Sequence, residues 1–340
     1  FADVGIWRPT LVVVGVTTMI AGGLRALRQD DLKLLLAFGT VSQLGFMMVL
    51  GGVGHPEATK ALCVLLVAHA LFKGALFLVV GIVDHETGTR DVRHLPNLDE
   101  GWTAVRVIAV VSAASMAGLP PVLGFVAKES AYEAFLHGGA ADRVTLVGVV
   151  AASALTFAYS TRFARPFLRG GGDGDAHAPS VPFVAPAALL GAATVATGIA
   201  VGPVLDDLVG SAANALDDHV GAPHLALWHG VNAALVLSAV TVAIGIAIVA
   251  GRRPVEEWQA RLAPPFSGAD GFARALRALN DVARRVTGFV QPGSLPVYIA
   301  VIMVVVVGAA DLVLWTAGDR PDRPPFAVTP VQVVLSVFVS

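Results

Sequence analysis

The sequence predicts an all-α, polytopic membrane protein, and three observations predict it. Hydrophobic residues make up 55% of the chain and charged residues only 14%, against about 25% charged in a soluble domain. The mean hydropathy is +0.73, an excess that comes from Ala, Val, Leu and Gly rather than from aromatic residues. The apolar residues gather in repeated stretches of roughly 17–25, the length that crosses a bilayer as an α-helix. The weak ten-residue alternation of a transmembrane β-barrel is not seen.

Taken in order, the apolar spans fall near 10–24, 32–53, 59–83, 103–137, 143–166, 182–205, 229–250 and 295–316, with another start near 326. The stretch 103–137 is interrupted. Every second connection is basic: Arg25 and Arg28, then Arg90 and Arg93, then Arg162, Arg165 and Arg169, then Arg252, Arg253, Arg261, Arg274, Arg277, Arg284 and Arg285. The alternate connections are poor in Lys and Arg: His55–Glu57, Asp142–Arg143, and the acidic Asp206, Asp207, Asp217 and Asp218. The bias supports the span count and puts the Arg-rich connections on the cytoplasmic side.

Segment 254–292 is too polar to span. Phe272, Leu276, Leu279, Val286 and Phe289 share roughly one helical face, opposite Arg274, Arg277, Asp281 and Arg284, as in an interfacial amphipathic helix; a soluble linker is the other reading. Gly170–Pro179 is a Gly/Asp/Pro loop with no binding pattern. The domain reading is therefore 1–168 for the first set of transmembrane helices, 169–251 for an additional helix pair, 252–293 for the amphipathic connecting helix, and 294–340 for further spans. The chain starts at Phe1 and ends in the apolar Val333–Ser340, so both ends read as cuts through a longer protein.

Composition also excludes. A net charge of -2 argues neither for nucleic acid nor for binding to a general anionic surface, and no nucleic-acid partner is expected. Cys63 is the one cysteine, so no intrachain disulfide is possible. No phosphate loop, dinucleotide fingerprint, nucleophilic triad or cysteine metal motif is present. The sequence thus calls for no catalytic residue, no metal and no cofactor.

Ionisable groups inside apolar spans are costly and face a bundle interior or water. Lys33 opens the second span in Gln29-Asp30-Asp31-Leu32-Lys33, with Thr40, Ser42 and Gln43 beyond it; it either snorkels to the surface or starts a polar stripe. His69 and Lys73 lie mid-span, four residues apart and so on one helix face; His69 alone could be structural. Leu119-Pro120-Pro121-Val122-Leu123-Gly124 breaks the fourth span, with Lys128 and Glu129 close behind. Prolines and a glycine free backbone groups that a wet or protein-lined cavity must satisfy, and broken helices beside charges build ion pathways; a plain re-entrant turn is the alternative. Asp311, His219, His224 and His229 read as interface residues, or as a cation-attracting vestibule, at spacings too irregular for a metal site.

Several of these stretches resemble one family. Gln29–Lys33 through Ser42-Gln43-Leu44-Gly45, His69-Ala70-Leu71-Phe72-Lys73, and Gly118-Leu119-Pro120-Pro121 through Lys128-Glu129 are similar to the proton-translocating antiporter module. That module is shared by Mrp-type cation/proton antiporters and the large membrane-arm subunits of respiratory complex I. Val80 to Asp91, with its Asp84-His85-Glu86-Thr87-Gly88-Thr89-Arg90-Asp91 run, and Leu227-Trp228-His229-Gly230 with Asn232 resemble the large A-type subunit of Mrp antiporters in particular.

The resemblance covers about residues 10–300. It implies the second part of an inverted-repeat bundle, with its broken helix at about 103–137, in a multi-pass plasma-membrane complex with other Mrp subunits. The implied activity exchanges Na⁺ for H⁺. It further implies a proton pathway through Lys33, His69, Lys73, Lys128 and Glu129, supported by Thr40, Ser42, Gln43, Pro120, Pro121 and Gly124, with Lys73 as the central relay. Two features depart from the family: Leu65 stands where some relatives carry another His, and the Glu–Lys pair of the first repeat falls upstream of Phe1. The alternative is a proton-pumping subunit of a complex I or membrane-bound hydrogenase assembly; a scaffold with inherited polar residues predicts instead a dry interior around Lys73. Like charges about 6 Å apart at an effective dielectric near 20 repel by about 3 kcal/mol, or about two pKa units, enough to pass a proton along such a row.

Overall fold

The computed structural model describes residues 5–169, 176–217, 220, 224–228, 230–251, 268–291 and 293–316. Arg252, Arg253, Arg261, Asp218, His219, His229 and the apolar run from 326 to Ser340 lie outside them.

Eleven α-helices are present among the described residues: α1 (Trp7–Leu27), α2 (Leu32–Val53), α3 (Pro56–Thr87), α4 (Thr103–Ala117), α5 (Leu123–Leu136), α6 (Ala140–Arg169), α7 (Val181–Ile199), α8 (Val201–Leu216), α9 (Ala233–Ala250), α10 (Gly268–Val290) and α11 (Leu295–Thr316). Seven of them, α1, α2, α3, α6, α7, α9 and α11, are long and apolar enough to cross a membrane. The chain is an all-helical, multi-pass membrane protein, as its composition predicts. Its helix ends are set locally. The Asp31 carboxylate caps α2 by accepting from the Lys33 and Leu34 amides at 2.7 and 3.0 Å, and Asn232 caps α9 through Leu235 N–H at 2.8 Å. Gly54, Gly88 and Gly118 close α2, α3 and α4 in the left-handed conformation.

The chain forms two compact units, residues 1–262 and 263–340. In the first, α3 is the hub, packed against α2, α4, α5, α7 and α8; α6 backs α1, α2, α4, α5 and α9. The 32 residues of α3 extend about 48 Å, beyond a hydrocarbon core of about 30 Å, so Asp84–Thr87 can stand clear of the apolar layer. Alternating chain direction places the 28–31, 88–102 and 176–180 connections at one end, the arginine end. The 54–55 and 137–139 connections and α8 lie at the other. Residues 206–216, read from sequence as an acidic connection, are instead helical. α8 is amphipathic, with Val201, Leu205, Val209 and Ala213 buried while Asp206 and Asp207 occupy its other face.

In the second unit, α10 carries its apolar and basic residues on opposite faces, and Arg284 pairs with Asp281 at 2.6 Å. α11 is a candidate span with Asp311 near its end.

Candidate functional site

Buried polar side chains run along the interior of the first unit. Lys73, in the middle of α3, is 4% exposed and donates to the Leu36 carbonyl of α2 at 2.8 Å, with the Phe77 ring 6.0 Å from its nitrogen. The Thr40 hydroxyl shares that carbonyl at 2.9 Å. Room for the amine comes from Gly39, where a Cβ would lie 3.0 Å from Lys73 Nζ and 3.1 Å from the Tyr159 ring. Tyr159, from α6, points its hydroxyl at the Gly39 carbonyl at 3.5 Å and interacts with Thr156, Gln43 and Ser42. Ser42 donates to Met19 O of α1 at 2.8 Å. His69 lies one turn from Lys73 on the same face. Its ring meets Phe72 edge-on at 5.4 Å, and its Nδ1 is buried without a hydrogen-bond partner among the described residues.

The fourth span breaks as its prolines predict. α4 ends at Gly118 (φ +80°) and α5 restarts at Leu123, with Pro120 and Pro121 between them. Lys128, 4% exposed, reaches back and donates to Ala117 O at 2.6 Å, satisfying a carbonyl the break has freed at the negative end of α4. Gly118 makes this possible: a Cβ there would run into Lys128 Cδ. Gly124 N–H donates to Ser115 Oγ at 3.1 Å, and a Cβ on Gly124 would collide with Ser115 O, so the half-helices meet backbone to backbone. Glu129 is also buried, at 4% exposure.

The structure thus brings His69, Lys73, Thr40, Ser42 and Gln43 together, and sets Lys128, Glu129 and Gly124 on α5, which packs directly against α3. It does not bring Lys33 to them. Lys33 is exposed in the first turn of α2, on the outward face with Ala37, Val41, Leu44 and Met48. Leu32, Leu35 and Leu36 turn inward, which leaves the residue after Leu32 facing out. Tyr159 is the member that sequence reasoning missed. The available signal was a lone hydroxyl-bearing aromatic inside the apolar span 143–166, two residues from Phe157.

The Asp84–Asp91 run lies apart from this interior, in an ion-pair clasp at the arginine end. Arg90 bridges Asp31 and Asp84, both at 3.3 Å; Arg93 pairs with Asp30 at 3.3 Å and Asp91 at 2.6 Å; Arg162 of α6 reaches Asp30 at 2.5 Å and Gln29 O at 2.9 Å. Leu32 N–H donates to Arg90 O and Val92 N–H to Asp30 O, at 3.0 and 2.9 Å. Two stretches that read separately in sequence are one structural joint between α2, α3 and α6. Hydrogen bonds from the Arg93 side chain and backbone hold the Asp91 carboxyl well below the usual carboxylate range. At the opposite end Arg8 pairs with the buried Asp142.

Residues 1–156 match the family described as NADH:quinone oxidoreductase/Mrp antiporter, TM. The chain is 31% identical to an antiporter subunit, mnhA2, of Staphylococcus epidermidis, over 96% of this chain and 45% of that protein. It is 36% identical to the A subunit of the Na(+)/H(+) antiporter of Bacillus subtilis, over 72% of this chain and 34% of that protein. Among solved structures it resembles a chain of the Mrp complex from Dietzia sp. DQ12-45-1b, with a TM-score of 0.80 and 36% identity, covering 98% of this chain and 37% of that one. The chain spans less than half the length of these relatives.

Proposed function

We propose a proton-carrying role for this chain, which through residues 1–156 belongs to the NADH:quinone oxidoreductase/Mrp antiporter membrane family. The route runs along His69, Lys73, Lys128 and Glu129 and serves the exchange of a monovalent cation, Na⁺, for H⁺. One observation carries it: two amines lie buried in adjacent helices, each anchored by a main-chain carbonyl, at 2.8 Å for Lys73 and 2.6 Å for Lys128. A carbonyl can hold either protonation state of an amine, as acceptor from both NH₃⁺ and NH₂, so losing the proton need not break the anchor. Tyr159, which borders Gly39 beside the Lys73 amine, interacts with the Ser42 hydroxyl and the Gln43 amide. Lys33 joins this route only where a neighbouring surface covers the outward face of α2.

The names of the B. subtilis and S. epidermidis relatives support antiport as the coupled process. The partners are then the other subunits of an Mrp-type complex in the plasma membrane, with the arginine end cytoplasmic by the positive-inside bias. The test is Lys73→Ala and Lys73→Arg in the assembled complex, read as Na⁺-driven proton movement in reconstituted vesicles. Both should lower exchange by about a hundredfold, the order a positioned proton carrier supplies, because Arg holds its proton throughout. Normal exchange in correctly assembled Lys73→Ala overturns the proposal. Proton movement that follows quinone reduction and ignores Na⁺ would move the chain to the oxidoreductase branch of the family.

A further inference from the structure

α7 packs against α3, α4 and α5. It turns one buried stripe inward, Val184, Ala187, Gly191, Thr194 and Gly198, which recurs at helical spacing. Along its length α7 meets the surroundings of both buried lysines. Leu190 lies against Gly74, the residue after Lys73, where a Cβ would be 2.8 Å from Leu190 Cδ1. Gly191 lies against Ile108 of α4, with 3.2 Å from a Cβ to Ile108 Cγ2. About 12 Å further along the axis from Leu190, Gly198 reaches the break in the fourth span.

The contact at Gly198 differs in kind from the other two. A Cβ there would be 2.4 Å from Pro121 O and 2.6 Å from both Val122 C and Leu123 N. All three are main-chain atoms, whereas the ends of the Leu190 and Ile108 side chains can swing aside. α7 therefore seats its own backbone on the backbone of the break. Hydrogen bonds close the break on its two sides. Gly118 and Leu119 N–H donate to Ser115 O and Ala114 O, and Phe125 N–H donates to Val122 O, all at 3.0 Å. Pro120 and Pro121 between them have no N–H to give, so packing must place them.

The Lys128 amine depends on that placement. Lys128 starts on α5, after the break, and bonds Ala117 O at the end of α4, before it. The bond spans the break, so its length follows the separation of the two half-helices. A displacement of about 1 Å takes a contact of 2.6 Å out of hydrogen-bonding reach. We propose that Gly198 is a positioning residue for Lys128: by letting α7 rest directly on Pro121, Val122 and Leu123, it fixes the gap that Lys128 bridges to Ala117. Gly198 has no side chain to carry a proton and acts only through the break. The inference rests on the proton-carrying role proposed above.

The test is Gly198→Ala in the assembled complex, beside Gly191→Ala, Lys128→Ala and Lys73→Ala. Both glycine changes add one methyl group to the same buried stripe of α7, where Ala is the better helix former, so a general packing defect treats them alike. Positioning separates them. Gly198→Ala should assemble and exchange about tenfold more slowly. Its pH dependence should be displaced, because an amine moved off its carbonyl holds its proton with a different affinity. Gly191→Ala should keep the native rate and pH dependence. A density map of Gly198→Ala should show Lys128 Nζ parted from Ala117 O. With Lys128→Ala and Lys73→Ala dead, three results overturn the positioning role and leave the proton route standing: native exchange in assembled Gly198→Ala, an equal loss in Gly191→Ala, or a map with the Lys128 bond intact. A Gly198→Ala complex that fails to assemble overturns it too, since the glycine is then a folding requirement. Full exchange in Lys73→Ala and Lys128→Ala overturns the route itself, and the positioning role with it.

Discussion

Gly39 separates two helices by the width of one missing methyl group, and that gap is where the Lys73 amine and the Tyr159 ring meet. A Cβ at 3.0 Å from the amine and 3.1 Å from the ring is closer than either neighbour can accept without moving, and the amine is the softer of the two. Gly39→Ala should therefore push Lys73 off the Leu36 carbonyl rather than unfold α2, where Ala is the better helix former. Exchange should drop by about tenfold while the complex still assembles; wild-type rates in a well-assembled Gly39→Ala complex would show that the amine's position is unimportant. The i,i+4 pair His69 and Lys73 was readable in the sequence because helical spacing alone puts them on one face. Tyr159 was not: it meets Gly39 across 120 residues, and no local pattern encodes that meeting. Lys33 was left between two readings, surface or polar stripe, because a polar residue near a helix start carries no information about which way the helix is turned; it lies exposed on the outward face of α2.

At the level of elements, most spans were legible because length and apolar content decide them, and the break between α4 and α5 was legible because Pro120 and Pro121 remove two donors. α8 escaped because Asp206 and Asp207 made a polar connection look complete, while the buried stripe beneath them repeats at helical spacing. The clasp shows what a distinctive run can do away from the interior. Arg93 N–H donates to Asp91 Oδ1 at 2.9 Å and its guanidinium is shared between Asp91 and Asp30. Since Asp91's folded value lies below its unfolded value of about 4, this contribution is full above that pH and is lost as pH falls towards the folded value. Amide hydrogen-exchange protection of Arg93 and His94, corrected for intrinsic rate, should fall as pH drops from about 6 to about 3. Asp91→Asn should show the weaker protection at every pH; a wild-type loop with constant protection across the range would rule the clasp out as the cause.

For the whole molecule, the two ends of the bundle differ in charge, and the difference gives the protein a direction. Arg25, Arg28, Arg90, Arg93, Arg162, Arg165 and Arg169 gather at one end, where the loops between α1 and α2 and between α3 and α4 are bonded together. His55, Glu57, Asp206 and Asp207 lie at the other. For the proton route proposed above, the orientation of the chain and the direction of transport are one question. Cys63 is the one cysteine in these 340 residues, 6% exposed, and thiol labelling puts the question directly. In a cysteine-free background of the full protein, with Cys63→Ser among the changes, Glu57→Cys and Arg165→Cys each place a single thiol at an exposed position, on opposite ends. A membrane-impermeant thiol reagent added to intact cells should label Glu57→Cys and spare Arg165→Cys, and inverted vesicles should reverse the pattern. Labelling of both from one side would mean that the chain crosses an even number of times between them. Labelling in the opposite order would place the arginine end outside and reverse the direction assigned to the proton route.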